Sequence, residues 1–171
     1  MSFLKTPQTA LALFKIPQQD LEEVLDELTV VLDGVRDPGN LGTIIRLCDW
    51  FGVKNLVCSK DTVDCFNPKV IQSTMGSITR VNVVYKNLAE FLQSQDLVSY
   101  GTFMEGENVY QKKLRQKAVL VMGNEANGIS LEIEKLISEK ISIPQFGQSQ
   151  ETESLNVATA TAIFLSEFRR K

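Results

Sequence analysis

Thr29-Val30-Val31-Leu32-Asp33 leads through Gly34-Val35-Arg36-Asp37 into Pro38-Gly39-Asn40-Leu41-Gly42-Thr43-Ile44-Ile45-Arg46, and the change of hydrophobic period between the two ends decides the fold. The first four residues are a β-branched, apolar run of the kind that forms a buried strand. Asp37 before Pro38 is an N-cap followed by proline at the first helical position. Leu41, Ile44, Ile45, Cys48 and Phe51 then recur at helical spacing. The stretch predicts a strand that feeds a helix.

The alternation continues along the chain. Residues 55–58, 81–85, 97–103, 119–122 and 140–143 read as strands, and residues 68–75, 88–95 and 131–138, with the stretch from Ser154 onward, read as helices. This pattern predicts an α/β fold: a mostly parallel sheet with helices on both faces, its ligands bound beyond the carboxyl ends of the strands. Upstream, residues 10–16 alternate around Leu11, Leu13 and Phe14 as a strand would, and residues 19–28 read as an acidic helix. Residues 1–28 are thus expected to be separable from a main unit at 29–171.

At 171 residues the chain suffices for one well-buried domain. It contains no histidine, and Cys48, Cys58 and Cys65 are odd in number and lack CxxC spacing. A zinc site or disulfide framework is therefore not expected, and no metal is assigned. Without histidine, the usual general base and the Ser-His and Cys-His arrangements are also gone. Chemistry must run on Asn, Arg, Glu, Ser or a cofactor. The net charge of -3 argues against a strongly basic nucleic-acid binder, yet the cations are segregated. They gather at Arg36, Arg46, Lys54 and Lys60, at Lys112, Lys113, Arg115 and Lys117, and at Arg169-Arg170-Lys171. No apolar run is long enough to span a bilayer and no signal peptide follows Met1, so the expectation is a cytoplasmic protein with no membrane partner.

Three strand-end loops, at residues 33–40, 123–130 and 144–154, are candidates for function. Gly123-Asn124-Glu125-Ala126-Asn127-Gly128 is neither a GxGxxG fingerprint nor a P-loop, which disfavours a dinucleotide fold or an NTPase. Its glycines suit either a close approach to a ligand or a plain turn. Asn40 and Arg46 share the first helix, and a long arginine leaning toward the helix start brings both to one pocket. The plainer alternatives are an Arg46–Asp49 salt bridge and a first-turn hydrogen bond for Asn40. Ser154-Leu155-Asn156-Val157 opens an apolar helix; Ser154 reads as an N-cap and Asn156 as a solvated first-turn residue, or both as polar groups at a ligand's mouth.

Taken together, these stretches resemble a known family. Asn40-Leu41-Gly42-Thr43-Ile44-Ile45-Arg46 is similar to the first motif of the SpoU-type (TrmH-like) RNA ribose methyltransferases of the SPOUT superfamily. Gly123-Asn124-Glu125-Ala126-Asn127-Gly128-Ile129 resembles the second, and Ile143-Pro144 with Ser154-Leu155-Asn156-Val157 the third. Order and strand context agree from about Thr29 to the C-terminus. Gln145 stands where the family commonly has Met, and residues 146–153 form a longer, more acidic loop than is usual.

The resemblance implies a C-terminal trefoil knot, a homodimer with the active site at the subunit interface, and S-adenosylmethionine as cofactor. It assigns Gly123, Ile143 and Leu155 to cofactor contact, with Thr102, Met122, Pro144 and Gln145 beside them. Arg46, Asn40, Glu125, Ser154 and Asn156 become the catalytic set for methylating a ribose 2'-hydroxyl of rRNA or tRNA. It also likens residues 6–13 to the junction after an N-terminal RNA-binding domain. A SPOUT base methyltransferase and a catalytically silent RNA-binding module remain open as alternatives.

Overall fold

The computed structural model describes residues 12–17, 21, 27–147 and 154–170. Its strands are β1 (Thr29–Leu32), β2 (Asn55–Cys58), β3 (Asn82–Tyr85), β4 (Ser99–Asn108), β5 (Val119–Met122) and β6 (Glu139–Ser142). They form one sheet in the order β3-β2-β1-β5-β4-β6, and every pairing is parallel. The helices are α1 (Pro38–Trp50), α2 (Pro68–Thr74), α3 (Leu88–Ser94), α4 (Leu131–Glu134) and α5 (Val157–Arg169). The expected parallel sheet and its helices are therefore present.

Strand side chains alternate between two apolar layers, as the period of two requires. Val30, Leu32, Leu56, Cys58, Leu120 and Met122 face a core completed by Leu41, Ile44, Ile45 and Cys48 of α1 and by Phe164, Leu165 and Phe168 of α5. Val31, Val57, Val119 and Val121 face the other way, onto Leu88, Phe91 and Leu92 of α3 and Ile133 of α4. Both faces are covered, which is why these strands are continuously apolar.

Asp37 caps α1 as expected, its carboxylate accepting the Asn40 N–H at 2.8 Å. Elsewhere the structure departs from the sequence reading. β4 does not stop at Phe103 but runs to Asn108, because its ladder with β6 is interrupted and then resumes: Thr102 and Glu107 both pair with Ile141. Residues 103–106 bulge out between them. Gly106 allows the return, since a Cβ there would lie 2.7 Å from the Ile141 carbonyl carbon. α4 ends at Glu134 because the chain tightens into i+3 hydrogen bonds at Leu136 and Ile137, after which Ser138 docks on Ser99 of β4. Ser154 is not the cap of α5; Asn156 is, accepting the N–H groups of Ala158 and Thr159 at 3.0 and 3.2 Å.

The N-terminal expectations fare differently. Residues 12–17 form no strand and pair with no edge of the sheet, and Leu13 and Phe14 are exposed. Alternation alone does not make a strand when no neighbour accepts its ladder. Ala10, Leu11 and most of the acidic stretch 19–28 lie outside the described residues; Glu27 and Leu28 are not helical. Among the described residues, no helix is long and apolar enough to cross a membrane.

Candidate active site

β1 and β5 are neighbours, so the loops leaving their carboxyl ends meet. Asn124 donates through Nδ2 to the Gly34 carbonyl at 3.0 Å, and the Ser130 N–H donates to the Asp33 carboxylate at 2.7 Å. Within the second loop, Asn124 Oδ1 accepts the N–H groups of Ala126 and Asn127, and Asn124 exchanges two backbone bonds with Gly128. Gly123 is required for this closure: a Cβ on it would lie 2.2 Å from the Gly128 carbonyl carbon and 2.3 Å from the Ile129 nitrogen. The close approach served by this glycine is made by its own loop.

Three side chains far apart in sequence join in a directed chain over this junction. Asn156 Nδ2 donates to Asn40 Oδ1 at 2.9 Å, and Asn40 Nδ2 donates to Glu125 Oε1 at 2.7 Å. The polarity is set by the α5 cap. Because Asn156 Oδ1 accepts two helix N–H groups, its amide nitrogen must face Asn40, which in turn presents its own nitrogen to the carboxylate. The chain thus ends on Glu125 Oε1, an acceptor.

Beside Glu125 opens a cavity of about 890 Å³ over the ends of β5, β4 and β6. Its deepest walls are apolar: Met122, Val157 and Phe164 are buried. Thr102 lines it too, but its hydroxyl is committed to the Val121 carbonyl at 3.2 Å. Gly123, Ile143, Pro144, Gln145, Ser154 and Leu155 complete the wall on the loop side. All seven positions expected at the cofactor therefore border one space, together with Glu125 and Ser154 of the expected catalytic set. The volume and apolar floor fit a nucleoside-sulfonium molecule, which would bind by apolar burial and a few backbone bonds.

The SpoU rRNA Methylase family profile matches residues 27–166, which include all three loops. The chain belongs to this family. It is 34% identical to the 23S rRNA (guanosine(2553)-2'-O)-methyltransferase RlmP of Bacillus subtilis, over 96% of this chain and 66% of that protein. It is 35% identical to the 23S rRNA (guanosine-2'-O-)-methyltransferase RlmB of Neisseria meningitidis, over 88% of this chain and 63% of that one. Among solved structures, a TrmH-family protein from Porphyromonas gingivalis superposes with a TM-score of 0.90 at 42% identity, covering 98% of this chain and 68% of that one. AviRb of Streptomyces viridochromogenes, a SpoU methyltransferase solved with AdoMet, gives 0.79 at 28% identity, covering 90% and 65%. The chain thus spans about two thirds of the length of these relatives, or less.

Arg46 of this SpoU-family chain stands apart from the cluster. It is exposed on α1 with Thr43 and Trp50, does not line the cavity, and its side chain bonds to no described residue. Six residues of helix turn it roughly 120° away from Asn40, so the two do not share a face within one chain. Nor does Asp49 hold it. Arg80 donates to both Asp49 oxygens, at 2.7 to 3.1 Å, and this holds the Asp49 carboxyl below the usual range.

Several residues that sequence reasoning missed shape the site. Asn124 organises the second loop and Asp33 anchors it, roles announced only by the general liking of Asn and Asp for turns. Phe103 and Met104 reach the cavity from the β4 bulge, and Leu131, Glu134 and Phe146 border it. Lys140 lies 4.6 Å above the Phe103 ring and pairs with Glu134, tying β6 and α4 to the bulge. Nothing in the local sequence of β4 announced the bulge.

Proposed function

We propose that the chain methylates a ribose 2'-hydroxyl of RNA, of the 23S rRNA class, using S-adenosylmethionine bound in the large cavity. The observation that carries this is the Asn156–Asn40–Glu125 chain at the border of that cavity, where polar groups oriented by a helix cap meet an apolar pocket. S-adenosylmethionine supplies an electrophilic methyl group there, held mainly by Gly123, Ile143 and Leu155, with Thr102, Met122, Pro144 and Gln145 around it. The relay fixes Glu125, and Ser154 borders the place where the ribose hydroxyl enters. The protein's contribution is alignment and electrostatic support for the oxygen as it loses its proton.

Arg46 orients the hydroxyl or its neighbouring phosphate. It is not a base, since a guanidinium keeps its proton to a pKa above about 12. Its exposed place on α1, away from the cavity of its own chain, supports a homodimer in which Arg46 meets the cavity of a second copy. Trp50, 85% exposed on the same face, supports the same contact. The order β5-β4-β6, followed by the return of α5 to α1, supports a C-terminal trefoil knot. Residues 29–171 form the methyltransferase unit, and the working compartment is the cytoplasm.

The test is transfer of tritiated methyl from S-adenosylmethionine to an unmodified 23S rRNA transcript, followed by digestion to nucleosides. Label in a 2'-O-methylnucleoside is expected. Label in a base would instead favour a base methyltransferase, and cofactor binding without transfer would favour a silent RNA-binding module.

A further inference from the structure

Among the described residues, four of the ten large apolar side chains left exposed border one opening, the mouth of the large cavity. They are Met104 of the β4 bulge, Leu131 of α4, and Phe146 and Leu155 near the two ends of the 144–154 loop. Single exposed apolar groups are ordinary on a protein surface, whereas several gathered on one rim mark a contact. No lysine or arginine among the described residues lines this cavity. The rim therefore suits an uncharged, flat group better than a phosphate.

Position says which group that is. The floor of the cavity is closed, because Met122, Val157 and Phe164 belong to the core. An acceptor for a methyl group carried on that floor comes in through the mouth. Glu125 lines the same cavity and Leu155 adjoins Asn156, so the rim and the Asn156–Asn40–Glu125 chain share this entrance. A ribose whose 2'-hydroxyl lies there carries its base on the next carbon of the ring, which brings the base against the rim.

Three aromatic residues line the cavity, and two of them are already engaged. Phe164 is buried in the floor. Phe103 carries the Lys140 ammonium 4.6 Å above its ring and packs on Gly101, where an added Cβ would lie 2.7 Å from Phe103 Cε2. Phe146 is 83% exposed, and its ring meets no aromatic or cationic partner among the described residues. We propose that Phe146 stacks on the base of the nucleotide being methylated. Every base has a π-face, so the contact holds the nucleotide without selecting its base, while Glu125 and Ser154 meet the ribose. The inference rests on the RNA methyltransferase reading above.

The experiment compares the unsubstituted chain with Phe146→Ala and Phe146→Trp. It reads filter binding to a 23S rRNA transcript over a salt series, calorimetric titration of S-adenosylmethionine, sedimentation velocity and a melting curve for each protein. Phe146→Ala is expected to weaken RNA binding roughly tenfold. The salt slope should stay the same, since stacking releases no counterions, and cofactor affinity should stay within about twofold. Sedimentation and melting should not change, and Phe146→Trp should keep the RNA affinity of the unsubstituted chain. Undiminished RNA binding by Phe146→Ala would overturn the stacking contact, as would a Phe146→Trp chain as weak as Phe146→Ala. A matching loss of cofactor affinity would place the ring over the cofactor, and a change in sedimentation would place it between two copies of the chain; either result overturns the proposal. Failure of the unsubstituted chain to bind RNA or transfer methyl would instead overturn the enzymatic reading, and this contact with it.

Discussion

The two halves of the sheet's carboxyl edge are made of different material. Over β5, β4 and β6 lies a cavity of about 890 Å³ with an apolar floor and its one buried-side hydroxyl, that of Thr102, already bonded. Over β1, β2 and β3 lies about 210 Å³ of space walled by Lys60 and Lys86, the carboxylates of Asp33, Asp61 and Glu132, and the apolar Leu88 and Ile133. The same parallel sheet supports both, so the contrast comes from the loops and helices set over its ends and from the β4 bulge. The first half suits a ligand that gains by leaving water, whereas the second is smaller and carries charges of both signs. Asn40, Glu125 and Asn156 stand at the boundary between the two.

Gly123→Val should disturb this contrast most, because it strikes the wall that the two halves share. The new side chain would overlap Gly128 and Ile129, and overpacking of this kind costs about 1–3 kcal/mol or more. A melting curve lowered by several degrees and loss of calorimetric cofactor binding are expected; native values for both would show that the loop opens without cost.

Arg46→Ala is expected to leave the apolar half intact and reduce single-turnover methyl transfer roughly 100- to 1000-fold, with cofactor affinity within about twofold. Arg46→Lys should recover part of the rate, since the positive charge stays while the bidentate geometry is lost. If Lys recovers nothing and the rate follows an arginine ionisation, the positioning role is wrong.

Smaller effects belong to residues outside either half. Because Arg80 lowers the Asp49 pKa, this pair stabilises the fold above about pH 4 and loses its effect as pH falls through the lowered value. Asp49→Asn should therefore melt slightly below the unsubstituted chain at pH 7, and the gap should close in acid. The smallest response should come from the thiols. Burial, with the neighbouring Asp49 charge, pushes Cys48 up to about 12, and burial also raises Cys58 and Cys65. A thiol reagent at neutral pH should label none of the three until the protein is unfolded.

Much of the fold was legible because its signals are local. Asp37-Pro38 marks the start of α1 through cap chemistry, and short apolar runs mark β1, β2 and β5 through the demands of two-sided burial. The β4 bulge was not legible, since it depends on where β6 lies. The cap of α5 was misplaced by two residues because Ser154 and Asn156 have similar local preferences, and what separates them is the bond from Asn156 to Asn40, 116 positions away. Arg46 was expected beside Asn40 from side-chain reach, but the helical rotation between them separates their faces. The polar chain itself could be named residue by residue only through the family resemblance; its direction follows from contacts that no spacing encodes.

The most direct test of the account is Asn156→Asp, which separates cofactor binding from methyl transfer, measured by cofactor calorimetry and single-turnover methyl transfer on the same preparation. A carboxylate can still accept the Ala158 and Thr159 N–H groups, so α5 stays capped, but it cannot donate to Asn40. The expected result is unchanged melting, cofactor affinity within about twofold, and transfer slowed roughly 100-fold. Equal losses of cofactor affinity and transfer, or no loss of either, would contradict it.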